Sequence, residues 1–123
     1  MENLLNWFEV PVLDFDRASK FYSVIFNYEM NDVMMGPDRM GFFPFEDKNS
    51  SGAIVFGEGY IPSANGTLVY FNAEGKIDEI LSKVESAGGK IIVQNTLITE
   101  EIGYFAKIMD TEGNVIAFHS KSK

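Results

Sequence analysis

Few residues in this chain can do chemistry, and the types that are missing say as much as those present. The sequence has no Cys and a single His, His119. Thiol nucleophiles, thiolate metal sites and disulfides are therefore excluded. Ser50, Ser51 and the C-terminal Ser120 and Ser122 have no His and Asp partners at a recognisable acyl-transfer spacing. Gly57-Glu-Gly59 and Gly36-Pro-Asp38 read as turns, because neither a Gly-x-x-x-x-Gly-Lys nor a Gly-x-Gly-x-x-Gly phosphate loop occurs. No acidic cluster has the spacing of an EF-hand loop. What remains for proton chemistry is one imidazole and the scattered carboxylates.

The elements that must position these groups alternate with short breaks. Asn6–Val12 reads as a strand, and Asp14 or Asp16 caps a helix from about Arg17 to Phe26. Ala18, Phe21, Tyr22 and Ile25 fall on one face of that helix at helical spacing. Tyr28–Met34 and Met40–Phe45 read as strands, Glu46–Ser51 as a polar loop and Gly52–Gly57 as another strand. Gly59–Gly66, with Pro62 and Asn65-Gly66, has the composition of a connector. Strand Thr67–Asn72 follows, then a helix over Lys76–Ala87 stopped by Gly88-Gly89, where one residue must turn left-handed. Strands Lys90–Gln94, Tyr104–Met109 and Val115–Ser120 complete the pattern. The last two are joined by an Asp110-Thr-Glu-Gly-Asn114 turn, read here as using Gly and Asn for positive φ.

The order strand, helix, three strands thus occurs twice. Ala18, Phe21, Tyr22 and Ile25 align at one constant offset with Ile77, Ile80, Leu81 and Val84, and Ala53-Ile-Val-Phe56 aligns with Val115-Ile-Ala-Phe118. Two βαβββ modules, over about residues 1–60 and 61–123, are each too small to bury a sheet alone and are expected to share a core as one domain.

Strand, Asp14-Phe-Asp-Arg-Ala-Ser-Lys-Phe-Tyr22 helix, module restart and Asp110-Thr-Glu-Gly-Asn-Val-Ile-Ala-Phe-His-Ser120 together resemble the vicinal oxygen chelate superfamily. That group includes glyoxalase I, extradiol dioxygenases and bleomycin-resistance proteins. The similarity runs from about Asn6 to Ser120. Within it the chain most resembles small bacterial glyoxalase-related proteins, through Trp7-Phe-Glu-Val-Pro11 and Gly103-Tyr-Phe-Ala106. The resemblance implies an α+β fold in which the two βαβββ modules form one shared, continuous cup-shaped mixed sheet with helices on its outer face. It also implies metal-ligand positions on the first and last strand of each module, here Trp7, Val55, Thr67 and Ala117. None of these side chains supplies the imidazole, carboxylate or thiolate that Zn, Ni or Fe requires, so no metal or other cofactor is expected.

Strand parity then distributes the side chains, since residues two apart share a face. With Trp7 toward the cup, Glu9 and Pro11 follow it, and the wholly apolar set Phe8, Val10 and Val12 faces the helices. With Ala117 toward the cup, Val115 and His119 join it, leaving Ile116 and Phe118 in the core. Thr67, Val69 and Phe71 are expected on the cup wall, with Leu68 and Tyr70 behind. The parity of Tyr104 is open. Trp7, Val55, Thr67, Val69, Phe71 and Ala117 thus form the expected ligand-binding surface, with Glu9 and His119 as the candidate acid–base pair. The methionines Met30, Met34, Met35 and Met40 suit adaptable packing near the rim.

Apolar residues make up 46% of the chain and aromatic residues 14%. No apolar run reaches the roughly 18 residues of a membrane span, and the N-terminus does not read as a signal peptide. A soluble cytoplasmic protein is the expectation. A net charge of −8 argues against nucleic acid, whose binding rests on clustered Lys and Arg. Three functions fit these observations. The first is a metal-independent protein that binds a small molecule of aromatic or cationic character. The second is a metal-free enzyme in which a carboxylate beside the imidazole, Glu9 with His119, moves a proton. The third is an accessory or regulatory domain. Open sheet edges and the resemblance both suggest a homodimer.

Overall fold

The computed structural model describes residues 4–44 and 51–123. Its elements run β1 (Trp7–Pro11), α1 (Phe15–Phe26), β2 (Asn31–Met35), β3 (Asp38–Phe42), β4 (Ser51–Phe56), β5 (Tyr70–Asn72), α2 (Ile77–Val84), β6 (Lys90–Thr99), β7 (Gly103–Met109) and β8 (Val115–Ser120). This is the βαβββ order, twice. Phe45 and Glu46–Ser50, expected to end a strand and form a loop, lie outside the described residues, and Ser51 belongs to β4.

Local chemistry explains most boundaries. Asp14 caps α1, its Oδ1 accepting from the Arg17 amide at 3.1 Å, and so the helix begins at Phe15, earlier than its spacing alone suggests. Asn27 ends it in the left-handed region (φ 55°), which delays β2 to Asn31. After α2, Gly88 turns left-handed (φ 108°) and the Gly89 amide reaches back to the Val84 carbonyl at 3.0 Å. The expected strand Lys90–Gln94 continues to Thr99, with register irregularities against β7 along its length.

Each module builds one four-stranded mixed sheet, in the orders β1-β4-β3-β2 and β5-β8-β7-β6, so the strands form two sheets and not the one continuous sheet expected. The β1–β4 and β5–β8 pairs are parallel and the others antiparallel. The inner edges β1 and β5 meet through side chains, with the Phe8 and Phe71 rings edge-on at 5.3 Å. Both helices pack on the same side of the sheets, leaving the other side concave. Ala18, Phe21, Tyr22 and Ile25 of α1 and Ile77, Ile80, Leu81 and Val84 of α2 are all buried in one core, as their matched spacing predicts. At its centre Phe26, Phe43, Phe71 and Phe118 pack in edge-on and tilted pairs 5.0–6.2 Å apart.

The pairing register corrects one expectation. Tyr70 stands beside Ala117 and Asn72 beside His119, whereas Phe71 stands beside Phe118. The first strand of the second module is therefore one residue out of the expected phase. Tyr70 and Asn72 share the concave face with Ala117 and His119, and Phe71 turns into the aromatic core instead of lining the cup wall. Thr67 and Val69 precede β5, and the Val69 carbonyl accepts from the Ala117 amide at 2.9 Å. The alternation Thr-Leu-Val-Tyr-Phe-Asn carries apolar residues in both phases, so the pattern could not choose between them.

Candidate functional site on the concave face

The concave face of the first sheet is assembled by register. Glu9 sits opposite Ala53, Pro11 opposite Val55, Met40 opposite Val55 and Phe42 opposite Ala53. Met40, Ala53 and Val55 are buried and form a small second core with Phe42 and Tyr60. Val55, expected on the ligand-binding surface, is instead fully covered. Trp7 lies above it, 41% exposed, with its ring edge-on to Phe42 at 5.7 Å.

Glu9 is the polar centre of this face. The Tyr60 hydroxyl donates to Glu9 Oε1 at 2.9 Å, and the Trp7 indole Nε1 donates to Oε2 at 3.4 Å. Tyr60 reaches it because the chain turns at Gly57-Glu-Gly59 and the Tyr60 amide bonds the Gly57 carbonyl at 3.2 Å. Gly57 permits the Asp38 carboxylate to lie where a side chain would otherwise stand, its Oδ1 only 2.0 Å from an ideal Cβ position. The hydrogen bond to Glu9 and its negative charge, with a smaller contribution from Asp38, raise the Tyr60 hydroxyl pKa above its ordinary value. Tyr60 escaped the sequence reading because a tyrosine in a connector carries no periodic signal.

On the second sheet, Ala117 is fully buried, and His119 has Asn72 and Phe105 as strand neighbours. His119 Nε2 lies 2.6 Å from the Ile102 carbonyl oxygen, which can only accept, so this nitrogen carries a proton in that contact. Glu9 and His119 each lie on the face of their own sheet that points away from the helices, they hold separate partners, and no hydrogen bond or ion pair joins them. Tyr104, whose parity was open, packs against the main core from a partly buried position. Thr67 borders a shallow hollow of about 250 Å³ shared with Leu68, Lys107 and Val115.

Trp7, Val55 and Ala117 occupy their expected strands, and in the corrected phase Tyr70 replaces Thr67 as the concave-face residue beside Ala117. Trp7, Val55 and Ala117 offer no donor to Zn, Ni or Fe, and the Tyr70 hydroxyl is the one oxygen among the four side chains. Among the described residues no three His, Asp or Glu side chains gather as a metal would require.

A larger hollow of about 550 Å³ lies on the helix side, between the modules, lined by Phe8, Phe26, Phe43, Phe71 and Ile80 with Lys76 and Glu79 at its rim. It also touches Pro44 and Ser51. The groups facing it are those of the aromatic core.

The Asp110–Asn114 turn proves to be a clamp between the modules. Glu112 Oε1 accepts the Leu13 and Asp14 amides, each at 2.8 Å, and both carboxylate oxygens accept from Arg17, at 3.0 and 2.7 Å. Asp110 Oδ2 accepts the buried Tyr22 hydroxyl at 2.6 Å. The Asn114 amide donates to the Pro11 carbonyl at 2.7 Å and accepts the Ser63 amide at 3.1 Å. Only Gly113 of this turn takes positive φ (95°), so Asn114 serves through its side chain and not, as expected, through its backbone. Burial alone would raise the Glu112 pKa. The Arg17 guanidinium, with the two amides and the Thr111 hydroxyl, outweighs burial and holds it at about 2. Burial, then the Asp110 charge, drive the Tyr22 hydroxyl well above its usual range.

This architecture is shared. The sequence model of the Glyoxalase/Bleomycin resistance protein/Dioxygenase superfamily matches residues 4–118. Among solved structures, the hypothetical protein SA1046 from S. aureus superposes with a TM-score of 0.69 at 18% identity, covering 98% of each chain. A glyoxalase/bleomycin resistance protein/dioxygenase family enzyme from Burkholderia phytofirmans PsJN gives 0.69 at 17%, over 94% of this chain and 96% of its own. The fosfomycin resistance protein FosX from Listeria monocytogenes gives 0.67 at 16%, over 97% and 91%. No curated protein matches. At such identities the structural likenesses speak for the fold alone, while the sequence match spans nearly the whole chain: it belongs to the glyoxalase/bleomycin resistance protein/dioxygenase superfamily.

Proposed function

We propose that this member binds a small organic molecule on its concave face and does so without a transition metal. The observation that carries this reading is the Glu9 carboxylate, fixed by two aromatic donors above an apolar floor. A few oriented polar groups in an apolar concavity are the usual makeup of a ligand site. The side chains at the superfamily's metal positions give no support to lyase or dioxygenase chemistry. Binding is favoured over proton transfer because Glu9 and His119 each hold a partner other than the other. His119 extends the same surface from the second module, and Trp7 belongs to it from the first.

A thermal-shift screen of small molecules read with native mass spectrometry tests this, because a ligand selective for the folded state raises its melting temperature. We expect Glu9→Gln and His119→Ala each to weaken the hit, and the double variant to lose less than the sum, since both touch one ligand. Protein purified without chelator is expected to carry well under about one equivalent of Zn, Ni, Fe or Mn. Stoichiometric metal that disappears on mutating Glu9 or His119 would overturn the reading and restore metal chemistry.

The chain is also proposed to act as a single domain in a cytoplasmic homodimer. Strand β6 supports the dimer: it is an outer sheet edge that exposes Ile92, Leu97 and Ile98. Sedimentation at micromolar protein should give twice the chain mass of 13.8 kDa, and a monomer alone would count against it.

A further inference from the structure

We propose that the ligand of the concave face is an organic cation, an ammonium or guanidinium group on an apolar body, held by Glu9 between Trp7 and Tyr60; this rests on the concave-face reading above. Glu9 is oriented but not neutralised. Its two bonds come from an indole N–H and a phenol O–H, and neither brings a positive charge. A carboxylate has about four lone-pair directions, so two stay free for a further donor. The chain's two arginines are committed elsewhere, Arg17 to Glu112 and Arg39 to Asp16 and Asp32. Among the described residues no ion pair reaches Glu9.

The surroundings select an organic cation over other ligands. Trp7 is the only tryptophan in the chain, and it is partly exposed beside the carboxylate. Tryptophan is the strongest of the aromatic cation acceptors. The Phe42 ring edge closes one flank of Trp7. Asp38 adds its negative charge on the Tyr60 side, so an anion would be repelled. A bare metal ion would find one carboxylate and aromatic rings, too few donors to replace its water. A soft, weakly hydrated cation matches both the carboxylate and the rings, and the net charge of −8 favours its approach.

The lone tryptophan makes the test direct. Trp7 emission is titrated with benzyltrimethylammonium, benzylguanidinium, benzyl alcohol and benzoate. Saturable changes are expected for both cations, with benzyl alcohol about fivefold weaker or more, and none with benzoate. Glu9→Gln should weaken the cations about fivefold while leaving benzyl alcohol unchanged. Its circular dichroism should match the parent, because Glu9 is exposed. If benzyl alcohol or benzoate binds as tightly as the cations, or Glu9→Gln binds cations as the parent does, the charge assignment falls and the concave-face reading stands. If Trp7 emission responds to none of these probes and to no hit of the thermal-shift screen, the concave-face reading falls with it.

Discussion

Glu112→Ala is expected to cost about 3 kcal/mol of folding stability, since it leaves two backbone amides without their acceptor at about 1–3 kcal/mol each. In a domain of this size that lowers the melting temperature by roughly 10–20 °C. The reason is the number of groups that one carboxylate satisfies. Its side chain is fully buried, and its loss would orphan the Leu13 and Asp14 amides where β1 enters α1, while the half-exposed Arg17 guanidinium would turn to water. Glu112→Gln keeps an acceptor for the amides and loses the charge, so it should fall between parent and Ala. The same group imposes a pH dependence. Its carboxyl is held at about 2 in the folded chain against 4.5 for a free group, so its contribution is complete above about pH 4.5 and drains away as pH falls toward 2. The shift corresponds to about 3 kcal/mol. Urea unfolding followed from pH 6 to pH 2 should show this loss in the parent and a shallower slope in Glu112→Gln. Parallel slopes in the two proteins would mean that Glu112 is not the group responsible.

Phe71→Ala should cost about 3 kcal/mol and Tyr70→Ala no more than about 1 kcal/mol. Phe71 packs against Phe8, Phe26, Phe43 and Phe118, so truncation empties the meeting point of the two sheets. Tyr70 is 49% exposed and sits on the opposite face of the strand. Chemical denaturation of the two variants compares them directly. Tyr70→Ala proving the costlier change would restore the parity first expected from the sequence, with Phe71 on the cup wall.

That pair of residues shows where the sequence stopped being legible. Long periodic elements could be read, because burial on one helix face demands apolar residues at helical spacing. The four core positions of α1 and the four of α2 follow from that demand alone. On β1 the set Phe8, Val10 and Val12 contrasts with Glu9, so its phase was readable too. On β5 both phases are apolar, and only pairing with β8 decides which one enters the core. The turn at Asp110–Asn114 was recognised as a turn, yet its role as a clamp was not. A carboxylate on a turn looks solvated until Leu13 and Arg17, far away in the chain, close around it.

The same division holds for the site. Composition alone fixed what this protein lacks: with no cysteine and one histidine, thiolate chemistry is closed and imidazole chemistry has a single bearer. Repetition of the βαβββ order, with matching apolar faces, determined the architecture, since neither half can bury its sheet alone. Only the tertiary structure brought Tyr60 onto Glu9, gave His119 the Ile102 carbonyl and covered Val55 with Met40, Phe42 and Tyr60. The physical reason is one of range. Periodicity records the demand that a face be buried, which every residue of an element feels locally. A hydrogen bond between residues fifty positions apart leaves no mark on the spacing of either neighbourhood, and it exists only once strand register and turn geometry have set the two side chains within reach.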